Sequence, residues 1–184
     1  MRRFAPLHVL LSLSPRPGFF LLGCAAVALV GAALVLQHWL NLNACPLCVF
    51  QRLLYMLFAL LAFVGALLPG GLLARRTGRV FGVLLALVAL SGFSVAIYQT
   101  MMQVRPDLVQ ECSYVNPGLI EQFVNWIGMY TLSNSTLAAL FLATGLCSSQ
   151  EWVFLGLSMA NWSAVCFAAL TVLALFWSRV FRHP

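Results

Sequence analysis

Charge is what this chain has least of. Only 8% of its 184 residues are charged against 62% hydrophobic, and lysine is missing altogether. A soluble domain of this length carries roughly a quarter charged residues, so a water-facing globule is excluded. All four acidic side chains, Asp107, Glu111, Glu121 and Glu151, fall in one stretch. No basic patch is interleaved with aromatics, which argues against a nucleic-acid partner. There is no internal repeat and no low-complexity tract. Ten-residue segments of alternating polarity, the signature of a membrane barrel, are also missing.

What the chain has instead is membrane-length apolar runs. A span needs about 20 mainly apolar residues, and four stretches qualify: about Gly18–Trp39, Val49–Leu68, Arg79–Met101 and Met159–Trp177. Backbone groups in hydrocarbon must bond within their own segment, so spans this apolar are helices. The expectation is a single integral membrane domain over 1–184, an all-α bundle of four transmembrane helices in a lipid bilayer. The outward connections run over about 40–48 and 102–158. The first is so short that spans one and two must be antiparallel neighbours.

Arginine sets the orientation. Arg2, Arg3 and Arg16 precede span one, Arg75, Arg76 and Arg79 lie between spans two and three, and Arg179 and Arg182 follow span four. The positive-inside rule makes these three groups cytoplasmic, with both termini, and only Arg52 and Arg105 fall elsewhere. The formal net charge of +6 therefore reports membrane orientation. The first apolar run outlasts the 7–15 residues of a signal-peptide core, so it reads as an anchor. In the long outward loop Leu119, Ile120, Phe123, Val124 and Ile127 recur at helical spacing against Glu121, Gln122 and Asn125. This predicts a short amphipathic helix, either lying on the membrane surface or packed on the tops of the spans. Trp152 and Trp162 bracket the approach to span four as interfacial aromatics do.

The six cysteines sort by position. Cys24 and Cys166 lie deep in spans one and four, where free cysteine behaves as a small buried hydrophobe. Cys45, Cys48, Cys112 and Cys147 all fall on the outward side, and disulfides persist in oxidising compartments. Four cysteines allow three pairings; proximity favours Cys45 with Cys48, which leaves Cys112 with Cys147. The ring closed by Cys45-Pro46-Leu47-Cys48 is too small to constrain the unfolded chain much, so reactivity explains it better than stapling. Pro46 suits the first position of a helix, putting Cys45 near the N-cap and Cys48 in the first turn. Exposed amides and the helix dipole there favour an anion, and the thiolate is the attacking species in exchange. The longer Cys112–Cys147 loop is compatible with a plain staple or with a second redox pair.

Arg52 follows Cys48 at i+4, on the same helix face. A charge one turn below the membrane surface costs a few kcal/mol unless it snorkels or has a partner. It is either an anchor at the surface or a cation able to stabilise a thiolate and donate to a carbonyl oxygen of a quinone. Gln37 and His38 end span one beside the same turn, and His38 either tunes the site or fills interfacial space.

Together these residues resemble the DsbB family. The matching features are Gln37-His38, the Cys45–Cys48 turn, Arg52, the pair Cys112 and Cys147, and the stretch from Glu151 to Leu157. The resemblance covers nearly the whole chain. It implies a thiol:quinone oxidoreductase of the bacterial inner membrane, with its redox cysteines on the periplasmic side. It also implies a partner, a periplasmic thioredoxin-fold oxidase similar to DsbA, and a quinone cofactor (ubiquinone or menaquinone) drawn from the membrane pool. By resemblance Cys112 forms the mixed disulfide with that oxidase while Cys147 leaves. Cys45 and Cys48 then receive the reducing equivalents, and Cys48, Arg52 and His38 attend the quinone. Two departures stand out: a longer Cys112–Cys147 interval than in the best-known members, and Gln99-Thr100 where some members carry a histidine.

Other classes fit less well. A four-thiolate zinc site would need a second pair at short spacing, and Cys112 and Cys147 are far apart. A small transporter with structural disulfides would place ionisable residues within its spans, and beyond Arg52 these spans have almost none. Covalent haem attachment needs His after the second cysteine, where Val49 stands. A vitamin-K-epoxide-reductase-like enzyme has a different cysteine order.

Overall fold

The computed structural model describes residues 15–67, 72–105, 122–124, 126–127 and 152–180. Four long helices carry the fold: α1 (Pro15–Leu40), α2 (Pro46–Leu67), α3 (Leu72–Val104) and α4 (Met159–Val180). Each contains a stretch long and apolar enough to cross a membrane: Pro17–Leu40, Pro46–Leu67, Gly78–Val104 and Met159–Ser178. The chain is thus an all-α membrane protein with four candidate spans. The termini and most of the segment between α3 and α4 lie outside the described residues.

Apolarity alone does not separate inside from outside in such a bundle. Leu60, Leu87, Val172 and Phe176 are exposed on the helix surfaces, yet they are as hydrophobic as the core. A soluble monomer rarely exposes so much contiguous apolar surface; in a bilayer these side chains face lipid. What marks the interior is size. Without a hydrophobic force between helices in lipid, small residues that admit close backbone approach favour packing. α3 buries Leu85, Ala86, Ala89 and Ala96, and α4 buries Ala160, Ala164, Phe167, Leu170 and Ala174. The two helices make the most extensive contact in the fold. A Cβ placed on Gly82 would sit 2.6 Å from Ser178 Cβ, and one on Gly92 would overlap the Phe167 ring.

α1 packs on α2 and α2 on α3, whereas α1 and α4 meet only along a loose seam. The core cluster runs through all four helices, from Phe19 and Ala26 of α1 through Phe58 and Ala62 of α2 to Ala89 and Phe167. Phe167 stacks on Tyr55, ring centroids 3.9 Å apart. Hydroxyls within the spans bond back to their own helix, Ser94 to Leu90 O at 3.0 Å and Thr171 to Phe167 O at 2.8 Å. That removes the cost of a bare polar group in hydrocarbon.

Three local findings go beyond or against the sequence reading. Cys24 is exposed on α1 and so faces lipid instead of the core; a thiol is apolar enough for either environment, so hydropathy does not discriminate. Residues 122–124 and 126–127 are helical, with Val124 buried against Ala44 and Val49 while Phe123 and Trp126 stay exposed. Val124 therefore packs that stretch onto the start of α2, with Phe123 and Trp126 exposed. A two-residue hairpin precedes α4: β1 (Val153–Phe154) pairs antiparallel with β2 (Leu157–Ser158). Its central residues, Leu155 (φ 54°) and Gly156 (φ 78°), are both left-handed, as a type I′ turn requires. Ser158 Oγ donates to Gln103 Oε1 at 2.7 Å and Thr100 Oγ1 to Asn161 Oδ1 at 2.8 Å, pinning the hairpin and the head of α4 to α3.

Gly92→Ala should cost about 1–3 kcal/mol, the usual scale of overpacking, because the displaced Phe167 is held by Tyr55. Gly31 has nothing within 4 Å of its Cβ direction, so Gly31→Ala should be neutral or slightly stabilising, alanine being the better helix former. Thermal unfolding of both variants in detergent, followed by circular dichroism, checks the contrast.

Candidate active site

The site begins with how one helix ends and the next starts. Asn41 takes the left-handed conformation at φ 49° just past α1, and Leu42 N–H donates back to Gln37 O at 3.1 Å. This is a Schellman-type stop, with Asn in the position glycine more often fills. The chain then reverses through Leu42–Ala44 into Pro46, the first residue of α2. Proline suits that position because its missing N–H has no helical partner there.

Cys45 is the N-cap of α2. Its carbonyl accepts the first helical bond from Val49 N–H at 3.1 Å, and its sulfur accepts from Cys48 N–H at 3.3 Å. A serine or asparagine oxygen usually plays that capping part. The two cysteines are free thiols whose sulfurs lie 3.0 Å apart, Cys45 donating to Cys48. Bringing the sulfurs to bonding distance takes only side-chain rotation; closing the disulfide also removes two electrons and two protons from the pair. Leu47, Met102 and Val95 pack around it, so Cys45 is buried and Cys48 half-buried.

α3 contributes Gln99, whose Nε2 donates to Cys48 Sγ at 3.1 Å and to Cys45 Sγ at 3.3 Å. Its Oε1 accepts from Gln51 Nε2 at 2.9 Å. The sequence reading singled out Gln99 without a partner and passed over Gln51. Uncharged polar residues within a span were the available signal.

Arg52 is 5% exposed, so it does not snorkel to the surface. Its charge acts on both sulfurs, while its Nη1 is buried without a hydrogen-bond partner among the described residues. It lines a cavity of about 160 Å³ together with Cys48, Gln51 and Tyr55 of α2, Leu29, Ala33 and Leu36 of α1, and Ala160, Ser163 and Cys166 of α4. The cavity therefore lies at the loose α1–α4 seam. Trp152 and Trp162 also line it; Trp162 Nε1 donates to Phe154 O at 3.1 Å, and the Phe154 ring stacks on Trp152. Tyr55 Oη donates to Ser163 O at 3.2 Å, bracing the wall opposite α1. Roughly 150 Å³ of apolar space accommodates a benzene ring, so the cavity admits one six-membered ring, with a cation and a thiol at its edge.

Of the six residues singled out by sequence, the structure brings together Cys45, Cys48 and Arg52. His38 does not join them: it is exposed at the end of α1 and is not part of the cavity lining. It lies two residues, about 200° of helical rotation, beyond Leu36, which does face the cavity. Cys112 and Cys147 lie outside the described residues. Cys166, read from sequence as core filling, lines the cavity.

Serine is a good N-cap and alanine a poor one, so Cys45→Ser should keep the start of α2 intact and Cys45→Ala should lose about 1 kcal/mol. Thermal unfolding of the two reduced variants measures the difference.

The family model described as Disulfide bond formation protein DsbB matches residues 15–177. The chain is 44% identical over 159 residues to Disulfide bond formation protein B of Dechloromonas aromatica, covering 86% of this chain and 89% of that protein. It is 38% identical over 162 residues to the protein of the same name in Aromatoleum aromaticum, covering 88% and 91%. For the one in Azoarcus sp. the figures are 39% over 165 residues, 88% and 90%.

Proposed function

The chain belongs to the DsbB family of disulfide bond formation proteins, and on that premise we propose that it is a thiol:quinone oxidoreductase of the bacterial inner membrane. It reoxidises a periplasmic thioredoxin-fold oxidase of the DsbA kind and delivers the electrons to the quinone pool. The observation that carries this reading is Arg52, whose buried Nη1 has no hydrogen-bond partner among the described residues and which lines an apolar cavity of about 160 Å³ together with Cys48. Orphaned buried donors are costly, and a ligand that is apolar in body and carries a carbonyl oxygen at its rim satisfies this one. A quinone fits that description and, when bound, supplies a sink for two electrons and two protons.

The protein's own part is thiol exchange. A thiolate of the reduced oxidase attacks the Cys112–Cys147 disulfide at Cys112, and Cys147 leaves with the electron pair of the broken bond. The oxidase's second thiol resolves the mixed disulfide, releasing oxidised oxidase and a Cys112/Cys147 dithiol. Attack by that dithiol on Cys45 passes the same two electrons to the Cys45–Cys48 pair, freeing Cys48 as a thiolate. Arg52 balances its charge and holds the carbonyl end of the ring. The apolar walls from α1 and α4 keep water away and admit a lipid-soluble molecule at the seam. The arginine groups at 2–16, 75–79 and 179–182 support a cytoplasmic position for the opposite ends of the helices.

The test is quinone reduction by the purified protein, followed optically, with a reduced thioredoxin-fold oxidase as donor. Absorbance should fall with either ubiquinone or menaquinone, and Cys48→Ser should abolish the change. No turnover with both quinone types would sink the proposal. Cys112→Ser should stop transfer from the oxidase while leaving the first pair able to cycle; normal turnover in that variant would break the relay as drawn. Arg52→His should raise the apparent KM for quinone about tenfold, the scale of one hydrogen bond to a charged group, with little change in the KM for the oxidase.

A further inference from the structure

Two glutamines have no part in the relay just described, and both are deeply buried: Gln51 is 5% exposed and Gln99 3%. A primary amide in an apolar interior is costly unless its donors and acceptor are matched. Here they are matched in one direction. Gln51 Nε2 donates to Gln99 Oε1 at 2.9 Å, which occupies the carbonyl of Gln99 and turns its NH2 toward the sulfurs at 3.1 and 3.3 Å. Gln99 is not part of the cavity lining. It reaches the dithiol from α3, whereas the cavity extends toward α1 and α4; Cys48, which accepts from Gln99, and Gln51 both line the cavity.

An amide NH2 pointed at sulfur discriminates between redox states. A thiolate is a strong acceptor and a disulfide sulfur a weak one, and hydrogen bonds to ionised groups are about twice as strong as neutral ones. We propose that Gln99 is a catalytic residue that donates to the reacting sulfurs and favours the reduced pair with Cys48 as thiolate. Gln51 is the positioning residue that fixes which end of the Gln99 amide faces them. When two electrons enter the Cys45–Cys48 bond it breaks, Cys45 takes a proton, and Cys48 keeps the negative charge under Gln99 and Arg52. When the pair is reoxidised the S–S bond re-forms, two electrons leave to the acceptor, and the Cys45 proton is released. A pair whose reduced form is stabilised is the stronger oxidant. The uncharged amide thus draws electrons toward the cavity without placing a second cation in the membrane. The acceptor's identity rests on the thiol:quinone reading; the action on sulfur does not.

Among the described residues, the titratable and charged groups near these sulfurs are few. α2 carries the two thiols, Arg52 one turn on, and Tyr55; α4 brings Cys166 to the same cavity. α3 turns Gln99, Met102 and Val95 toward the pair, and α1 lines the cavity with apolar residues while His38 is exposed. Among the described residues, the pH response of Cys48 reads Cys45, Arg52 and the amide.

The experiment is the rate of Cys48 alkylation in the reduced, detergent-solubilised full chain, measured from pH 5 to 10 and located by tandem mass spectrometry. Gln99→Met, close in shape and a good helix former, should move the midpoint up by about one pH unit and slow the reaction at neutral pH about tenfold. A structural role alone would change rates at every pH and leave the midpoint in place. Gln51→Met should move it the same way by less, and the double variant should match Gln99→Met, because Gln51 acts only through Gln99. In glutathione buffers, where two glutathione molecules reduce the disulfide and become one glutathione disulfide, the Gln99→Met pair should be harder to reduce by about the same factor. An unmoved midpoint in Gln99→Met overturns the proposal, and additive shifts in the double variant overturn the role of Gln51. If Gln99→Met does not fold, Gln51→Met with Gln99 intact decides, an unmoved midpoint again being fatal. Neither readout contains quinone. A shift without quinone turnover keeps the thiol assignment and removes the oxidoreductase reading, and turnover without a shift does the reverse.

Discussion

Arg52 is a full positive charge, 5% exposed, one turn inside a helix that spans a membrane. A charge in that position costs a few kcal/mol even after the protein relaxes around it, and the surroundings of the site follow from what offsets the cost. Two sulfurs lie within its field, one of them able to carry a negative charge, and Arg52, whose Nη1 has no hydrogen-bond partner among the described residues, lines a ligand-sized cavity. Cation and thiolate together form a neutral unit that an apolar bundle tolerates. Either one alone would be a bare charge in hydrocarbon, so the pair depends on the arginine as much as the arginine depends on the pair.

The helix arrangement serves this unit. α3 and α4 approach closely where Gly82 meets Ser178 and Ala174 and where Gly92 admits the Phe167 ring, which brings Gln99 and the Tyr55–Phe167 stack to fixed positions. α1 and α4 are left loosely apposed, and the cavity lies at that seam. One side of the dithiol is therefore held by close packing while the other adjoins the loose α1–α4 seam. Thiol chemistry needs fixed sulfurs, and exchange of a membrane-dissolved acceptor needs an entry that does not open the core. Under the proposed thiol:quinone function, the division of labour among the helices meets both needs. The hairpin before α4, pinned to α3 by Ser158–Gln103 and Thr100–Asn161, adds Trp152 and Trp162 as a rim.

Much of this was legible in the chain. Helical spans follow from apolar length because hydrocarbon leaves the backbone no other partner. The start of α2 at Pro46, with Cys45 as its cap and Cys48 in its first turn, follows from the local rules of helix ends, which act over four or five residues. The proximity of Arg52 to Cys48 follows from helical spacing alone. Other features were not legible. Cys24 reads as core by hydropathy and faces lipid, because thiol, core and lipid have similar polarity. His38 lies next to Gln37 and the cysteine turn in sequence and is turned away from the cavity by helical rotation. Gln51 and Gln99 are separated by 48 residues, so their amide bond depends on how α2 and α3 pack. The hairpin at Leu155 was hidden because leucine is a rare choice for a left-handed turn position.

The sequence by itself determined the membrane class, the helical spans and the cation one turn from the thiol. All of these rest on composition or on spacing within a single helix. Only the tertiary structure decided that Gln99 donates to both sulfurs, that Gln51 orients it, that Cys166 and the two tryptophans line the cavity, and that the cavity lies between α1 and α4. Helices in lipid are uniformly apolar, so hydropathy does not say which face meets which neighbour. The faces are chosen by the fit of small against large side chains and by the few polar atoms that must find one another away from water.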